Sequence, residues 1–161
     1  MKRLVLLAAT VLLTLGGIAQ TATASEVEQI TIQAANCQHS AGAGTVVSAA
    51  YVQSPSGYNH GAVQLCRSGS YYWGYIVLYE PQLSGWWATT HLFRYEDGVH
   101  KGTWNCDHSG GNGYVAAGQT MCWTPRIYDT GTSSKFAASG KDVVGTYPNG
   151  TQMAYGITGR A

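Results

Sequence analysis

Thr89-Thr90-His91-Leu92-Phe93-Arg94-Tyr95-Glu96-Asp97-Gly98-Val99-His100-Lys101-Gly102-Thr103-Trp104 places Asp97-Gly98 between two runs of aromatic, β-branched and polar side chains. Asp-Gly tolerates the positive φ angles of a type I′ turn, whose twist matches that of two antiparallel strands. The stretch therefore predicts a β-hairpin. The same pattern continues outward from it. The chain's 21 glycines are spread along its length, and no apolar set repeats at helical spacing over three turns. Strands are expected at residues 46–52, 62–66, 72–79, 88–95, 99–104, 113–116, 136–140 and 151–158. Many short strands broken by turns predict an all-β fold, a small antiparallel sandwich or barrel with little or no helix.

The first 24 residues follow a different logic. Lys2 and Arg3 precede an apolar run over residues 4–18, and Ala22-Thr23-Ala24 supplies small residues after it. That is the order of a cleavable secretory signal peptide, with cleavage expected after Ala24. The run is shorter than the roughly 20 apolar residues of a membrane span. A lipid anchor would need a cysteine at the cleavage site, and the first cysteine is Cys37. The expected product is a secreted, extracellular single domain over residues 25–161. Removing the first 24 of 161 residues leaves 137, and nine basic residues become seven against eight acidic ones, a net charge of about −1. This balance gives no basic footprint for nucleic acid and no basic amphipathic helix for a membrane surface.

Cys37, Cys66, Cys106 and Cys122 all lie in the exported part, and an even count in an oxidising compartment reads as two disulfides. Of three possible pairings, Cys37 with Cys66 and Cys106 with Cys122 is preferred because each closes one local segment. A loop of about 15 residues closed this way stabilises by about 3 kcal/mol in the chain-entropy picture. The cysteines are too far apart for the close pairs of structural zinc, so neither metal nor cofactor is expected.

Aromatic residues concentrate in the middle of the chain. On a strand, Trp73, Tyr75, Val77 and Tyr79 share one face, and Tyr72, Gly74, Ile76 and Leu78 the other. Such residues either form a platform for sugar rings or fill a core, and Trp73, Trp104 and Trp123 are assigned to the core. Trp86-Trp87 follows a turn-like Pro81-Gln82-Leu83-Ser84-Gly85. Only one of the pair can easily face inward, so the pair holds the candidate binding residues.

Catalytic patterns are weak. Cys106-Asp107-His108-Ser109-Gly110-Gly111 superficially resembles a serine-protease segment, yet a triad gathers residues from separate elements in space. No nucleophile elbow, zinc-protease helix or phosphate loop occurs. Glu80, Glu96, Asp97, Asp107 and Asp129 offer carboxylates, but a glycosidase pair depends on a separation in space. His39, His60, His91, His100 and His108 are scattered. His91 and His100 sit nearly symmetrically about Asp97-Gly98 as possible cross-strand neighbours, too few for a metal site, and both are read as surface residues. Asp129 is expected to cap the turn at Thr130-Gly131, with ligand binding as the alternative.

The segment Cys106-Asp107-His108-Ser109-Gly110-Gly111-Asn112-Gly113-Tyr114-Val115, then Gly118-Gln119-Thr120-Met121-Cys122-Trp123-Thr124-Pro125 and Tyr128-Asp129, resembles the carboxy-terminal half of the YjfA-like proteins. These are small secreted bacterial proteins that share a domain of unknown function. The resemblance is best over about the last 55 residues, from Cys106 onward. Upstream, Val63-Gln64-Leu65 and Trp73-Gly74-Tyr75-Ile76 resemble that family's first strand pair. The resemblance implies a secreted, disulfide-bonded β domain and transfers no catalytic residue. The functional expectation is a non-catalytic binding domain for a cell-wall glycan or an extracellular protein. A small secreted hydrolase and a structural protein of the envelope or matrix are the alternatives.

Overall fold

The computed structural model describes residues 37–131 and 133–161. The expected signal segment, residues 1–24, lies outside the described residues. Nine strands follow one another: β1 (Thr45–Gln53), β2 (Asn59–Ser68), β3 (Tyr71–Leu78), β4 (Trp86–Glu96), β5 (Val99–Asn105), β6 (Met121–Trp123), β7 (Ile127–Tyr128), β8 (Ser134–Val144) and β9 (Thr151–Ile157). They form one antiparallel sheet in the order β5-β4-β8-β9-β1-β2-β3-β6, with β7 also pairing β3. No helix occurs among the described residues, in keeping with the all-β expectation.

The sheet curls on itself as a half-barrel. Inward-facing Val63, Leu65, Tyr72, Ile76 and Leu78 of β2 and β3 pack with Ala88, Leu92, Phe136 and Ala138 of β4 and β8. Tyr72 stacks on Phe136 with ring centroids 4.4 Å apart. The two walls come so close at Gly140 that a Cβ there would stand 3.0 Å from Val52, Val63 and Ile76. A disulfide and a loop bring the sheet's edges together. Cys106, just after edge strand β5, bonds Cys122 in edge strand β6. The intervening chain exchanges hydrogen bonds with both sides, through Val115 with Ala88 and through Thr120 O with Leu78 N. The other bridge is Cys37–Cys66, so the preferred pairing is the observed one.

The hairpin forms as its turn chemistry demands. Asp97 and Gly98 have φ of 50° and 79°, and Glu96 pairs Val99 across them. The symmetry about that turn fails one step further on, because Arg94 pairs Gly102 while Tyr95 pairs His100. The extra residue, Lys101, is a bulge. His91 lies opposite Asn105 and His100 opposite Tyr95, which corrects the cross-strand expectation: His91 stands six residues before Asp97 and His100 two after Gly98, so the two are not symmetric about the turn even without the bulge. His91 is also half-buried and no surface residue, and its pKa is pushed down to about 4 by burial, with Lys141 and His108 adding to the effect.

The strand expected at residues 113–116 shrinks to a single bridge, Ala88 with Val115. Gly110, Gly113 and Gly118 all adopt positive φ, which bends this chain away from a continuous ladder. The pairing with β3 comes instead from β6 and β7. Thr124-Pro125 separates those two strands, as expected of a proline that cannot donate to a ladder. Asp129 Oδ1 accepts from Gly131 N at 3.1 Å, the turn cap read from the sequence.

Alternation on β3 holds, with both faces covered. Its second face, Trp73, Tyr75 and Val77, forms a separate cluster with Cys37, Ala62 and Cys66. Trp73 and Tyr75 are fully buried there, and Trp73 Nε1 donates to Gln38 O. The chain entering from Cys37 lies over this face, so these rings are core and not a sugar platform. Burial raises the Tyr75 phenol to about 12.

Candidate functional site

The inward rows of β3, β4 and β8 reach one mouth of the half-barrel at Leu78, Trp86 and Asp142. Together with the β3–β4 loop they line a concavity of about 570 Å³. The loop contributes Glu80, Pro81, Gln82 and Leu83, while Tyr58 and His60 close the far side. Tyr58 and Leu83 are 63% and 64% exposed, so the rim is open to an incoming molecule. A larger, shallower depression of about 760 Å³ runs along residues 43–47 and 67–69. It has no aromatic wall, and the Nε of its one charged side chain, Arg67, is bonded to Gly69 O at 2.8 Å.

His60 reaches this mouth because β2 bulges at that residue. Val52 pairs Gly61 and Gln53 pairs Asn59, leaving His60 as the extra residue opposite β1. Bulges re-aim side chains in this way. A second irregularity separates Asp142 from Val143 on the β8–β9 ladder. Gly61 next to His60 is required by the close approach of β3, since a Cβ there would lie 2.2 Å from Val77 O.

The floor is a three-residue polar network. His60 Nδ1 donates to Asp142 Oδ2 at 2.7 Å, and Gln82 Nε2 donates to Asp142 Oδ1 at 2.6 Å. Asp142 is buried, and these two bonds occupy both of its oxygens. Gln82 is itself held by its backbone, whose N and O bond Gln119 O and Gly118 N at 2.8 Å each. The His60 ring stacks on Trp86 at 6.3 Å and meets Tyr58 edge-on at 5.3 Å. With Nδ1–H committed to Asp142, neutral His60 presents Nε2 as an acceptor.

Of the two tryptophans singled out by sequence, Trp86 is half-buried and forms a wall of this concavity. Trp87 points to the opposite face and is buried. Its Nε1 donates to Asn149 O at 3.0 Å, Tyr147 packs edge-on at 4.9 Å, and Lys141 Nζ lies 4.9 Å above the ring. The catalytic segment does not assemble. Asp107 holds Tyr114 N and the Tyr147 hydroxyl, and His108 Nδ1 lies 2.6 Å from Asn105 Oδ1. Of the carboxylates singled out by sequence, all of them described residues, Glu80 alone lines the concavity. Glu96 pairs Arg94, and Asp97 sits in the hairpin turn. No three His, Cys, Asp or Glu side chains converge as a metal site among the described residues.

Sequence reading did not single out Tyr58, Gln82 or Asp142 and left His60 among scattered histidines. His60 and Asp142 are 82 positions apart, and no spacing rule joins them.

The chain is similar to the uncharacterized protein YjfA of Bacillus subtilis (strain 168). The two are 37% identical over 65 residues, which is 40% of this chain and 40% of that protein's length. This agrees with the YjfA-like resemblance of the sequence, and YjfA's description as uncharacterized carries no activity with it. No protein-family model matches the chain, and no solved structure matches it. No helix among the described residues is long and apolar enough to cross a membrane.

Proposed function

We propose that the protein works outside the cell as a non-catalytic binding domain that holds a glycan in the concavity between Trp86 and Tyr58. The observation that carries this reading is the pairing of an aromatic wall with a fixed polar floor. Sugar rings offer an apolar face and a rim of hydroxyls. Trp86 supplies the matching surface, and His60, Gln82 and Asp142 supply fixed polarity around a partly apolar pocket. The two disulfides and the leader-like first 24 residues support an extracellular setting. Titration of cell-wall glycan fragments into the protein is expected to give saturable binding that Trp86→Ala weakens about tenfold or more. Unchanged affinity in a folded Trp86→Ala variant would remove this site.

A hydrolytic role is the second reading, favoured by the His60–Asp142 hydrogen bond. That bond leaves Nε2 poised as a base toward the concavity. Turnover of a glycan or ester substrate that His60→Gln abolishes would replace the binding reading with this one.

A further inference from the structure

Resting on the glycan reading of this concavity, we infer that the site selects sugars carrying a free ammonium group over their neutral N-acetylated counterparts. The charge inventory of the walls carries the inference. Glu80 and Asp142 bring two carboxylates, and among the described residues no lysine or arginine lines the concavity. The side chain nearest in sequence that could neutralise them, Lys141, lies over Trp87 on the opposite face of the sheet. Asp142 is held by the neutral amide of Gln82 and by His60, so its buried charge meets no permanent cation. With neutral His60 the walls carry a net charge of −2, and with protonated His60 still −1.

The remaining walls act in the same direction. The faces of Trp86 and Tyr58 carry negative quadrupole density that attracts ammonium groups. Neutral His60 Nε2 is an acceptor, which an ammonium N–H can satisfy. An N-acetyl group also brings an amide N–H to that atom, but it has no charge for the two carboxylates. The buried Asp142 works in a low-dielectric floor, where a charge acts more strongly than in water. Glu80 is exposed and acts at the rim, screened by salt.

The test is calorimetric titration of the intact protein with glucosamine oligomers and with N-acetylglucosamine oligomers of equal length. It is run at a slightly acidic pH at which the sugar amine is protonated. The free-amine oligomer is expected to bind about tenfold more tightly. Glu80→Gln, an exposed change that leaves the core untouched, is expected to narrow that ratio by up to about fivefold. Trp86→Ala weakens both ligands. Equal affinities, or a preference for the acetylated oligomer, would overturn the ammonium selectivity and leave the glycan site standing. Failure of both oligomers to bind folded protein would overturn the selectivity and the glycan reading together.

Discussion

Two aromatic surfaces of this molecule differ in fate although their residues are alike. On the outer face of β2 and β3, Trp73 and Tyr75 are fully buried beneath the segment that follows Cys37. At the mouth of the half-barrel, Trp86 and Tyr58 stand around a concavity instead. The first surface is closed by a disulfide-anchored segment, and its polar groups are engaged within it: the buried Gln64 accepts from Cys37 N, and the Arg126 guanidinium lies 4.5 Å over the Trp73 ring. The second has a buried carboxylate, an imidazole and an amide aligned in its floor. Aromatic richness alone therefore does not mark a site. At the mouth a bulge and a pinned loop bring polar groups to the rings, and among the described residues no segment covers them.

The contrast can be broken most severely from the closed side. Trp73→Ala should cost about 3–5 kcal/mol of stability, the usual toll of emptying a large buried ring position. Trp86→Ala should cost about 1 kcal/mol, since its ring is only half-buried. Chemical denaturation of the two variants measures both, and equal costs would mean that the two surfaces are equally core. Replacing Cys37 and Cys66 together by serine should lower stability by about 3 kcal/mol. It should leave glycan affinity within about twofold, because the bridge lies away from the mouth. Affinity is followed by calorimetry on the folded fraction.

Asp142→Ala should act on both quantities. It strands the donors of His60 and Gln82, at a cost of about 2 kcal/mol, and it removes the floor of the concavity. Its denaturation midpoint and its glycan affinity should both fall, whereas an effect on only one would separate the network's structural and binding roles. The smallest effect concerns the half-buried His91, on the same outer face of β4 as Trp87. Burial pushes its pKa down to about 4 from the ordinary 6.5 of an imidazole. Neutral His91 therefore contributes stability that is fully present above pH 6.5 and is lost as the pH falls through 4. The loss should be on the order of 1–2 kcal/mol after allowance for its partial exposure. A His91→Gln variant should show a flatter stability profile in that window than the parent protein.

Much of the scaffold was legible because its causes are local. Asp97-Gly98 carries its own turn geometry, the alternation from Tyr72 to Leu78 follows from strand pleating, and Thr124-Pro125 interrupts pairing by its chemistry. The disulfides were legible from the even number of cysteines and the export expected of the chain. The strand at 113–116 was misread because hydrophobic pattern outweighed the bends at Gly110, Gly113 and Gly118. The floor of the site was legible only in fragments. His60 enters it through a bulge that depends on the register of β1 against β2, and Asp142 reaches it from the far side of a curled sheet. Trp86-Trp87 was recognisable as a pair facing two ways, but which ring meets the concavity follows from the inward row of β4, Trp86, Ala88, Thr90 and Leu92.

The most direct test of the central claim is a two-dimensional NMR titration of the labelled protein with a cell-wall glycan oligomer, following the tryptophan indole and glutamine side-chain signals. Binding at the mouth predicts saturable shifts of the Trp86 indole and the Gln82 amide, with the Trp73 indole unmoved. Saturable shifts confined to the Trp73 face or to the exposed Tyr71 and Tyr128 pair, with Trp86 and Gln82 unchanged, would contradict it.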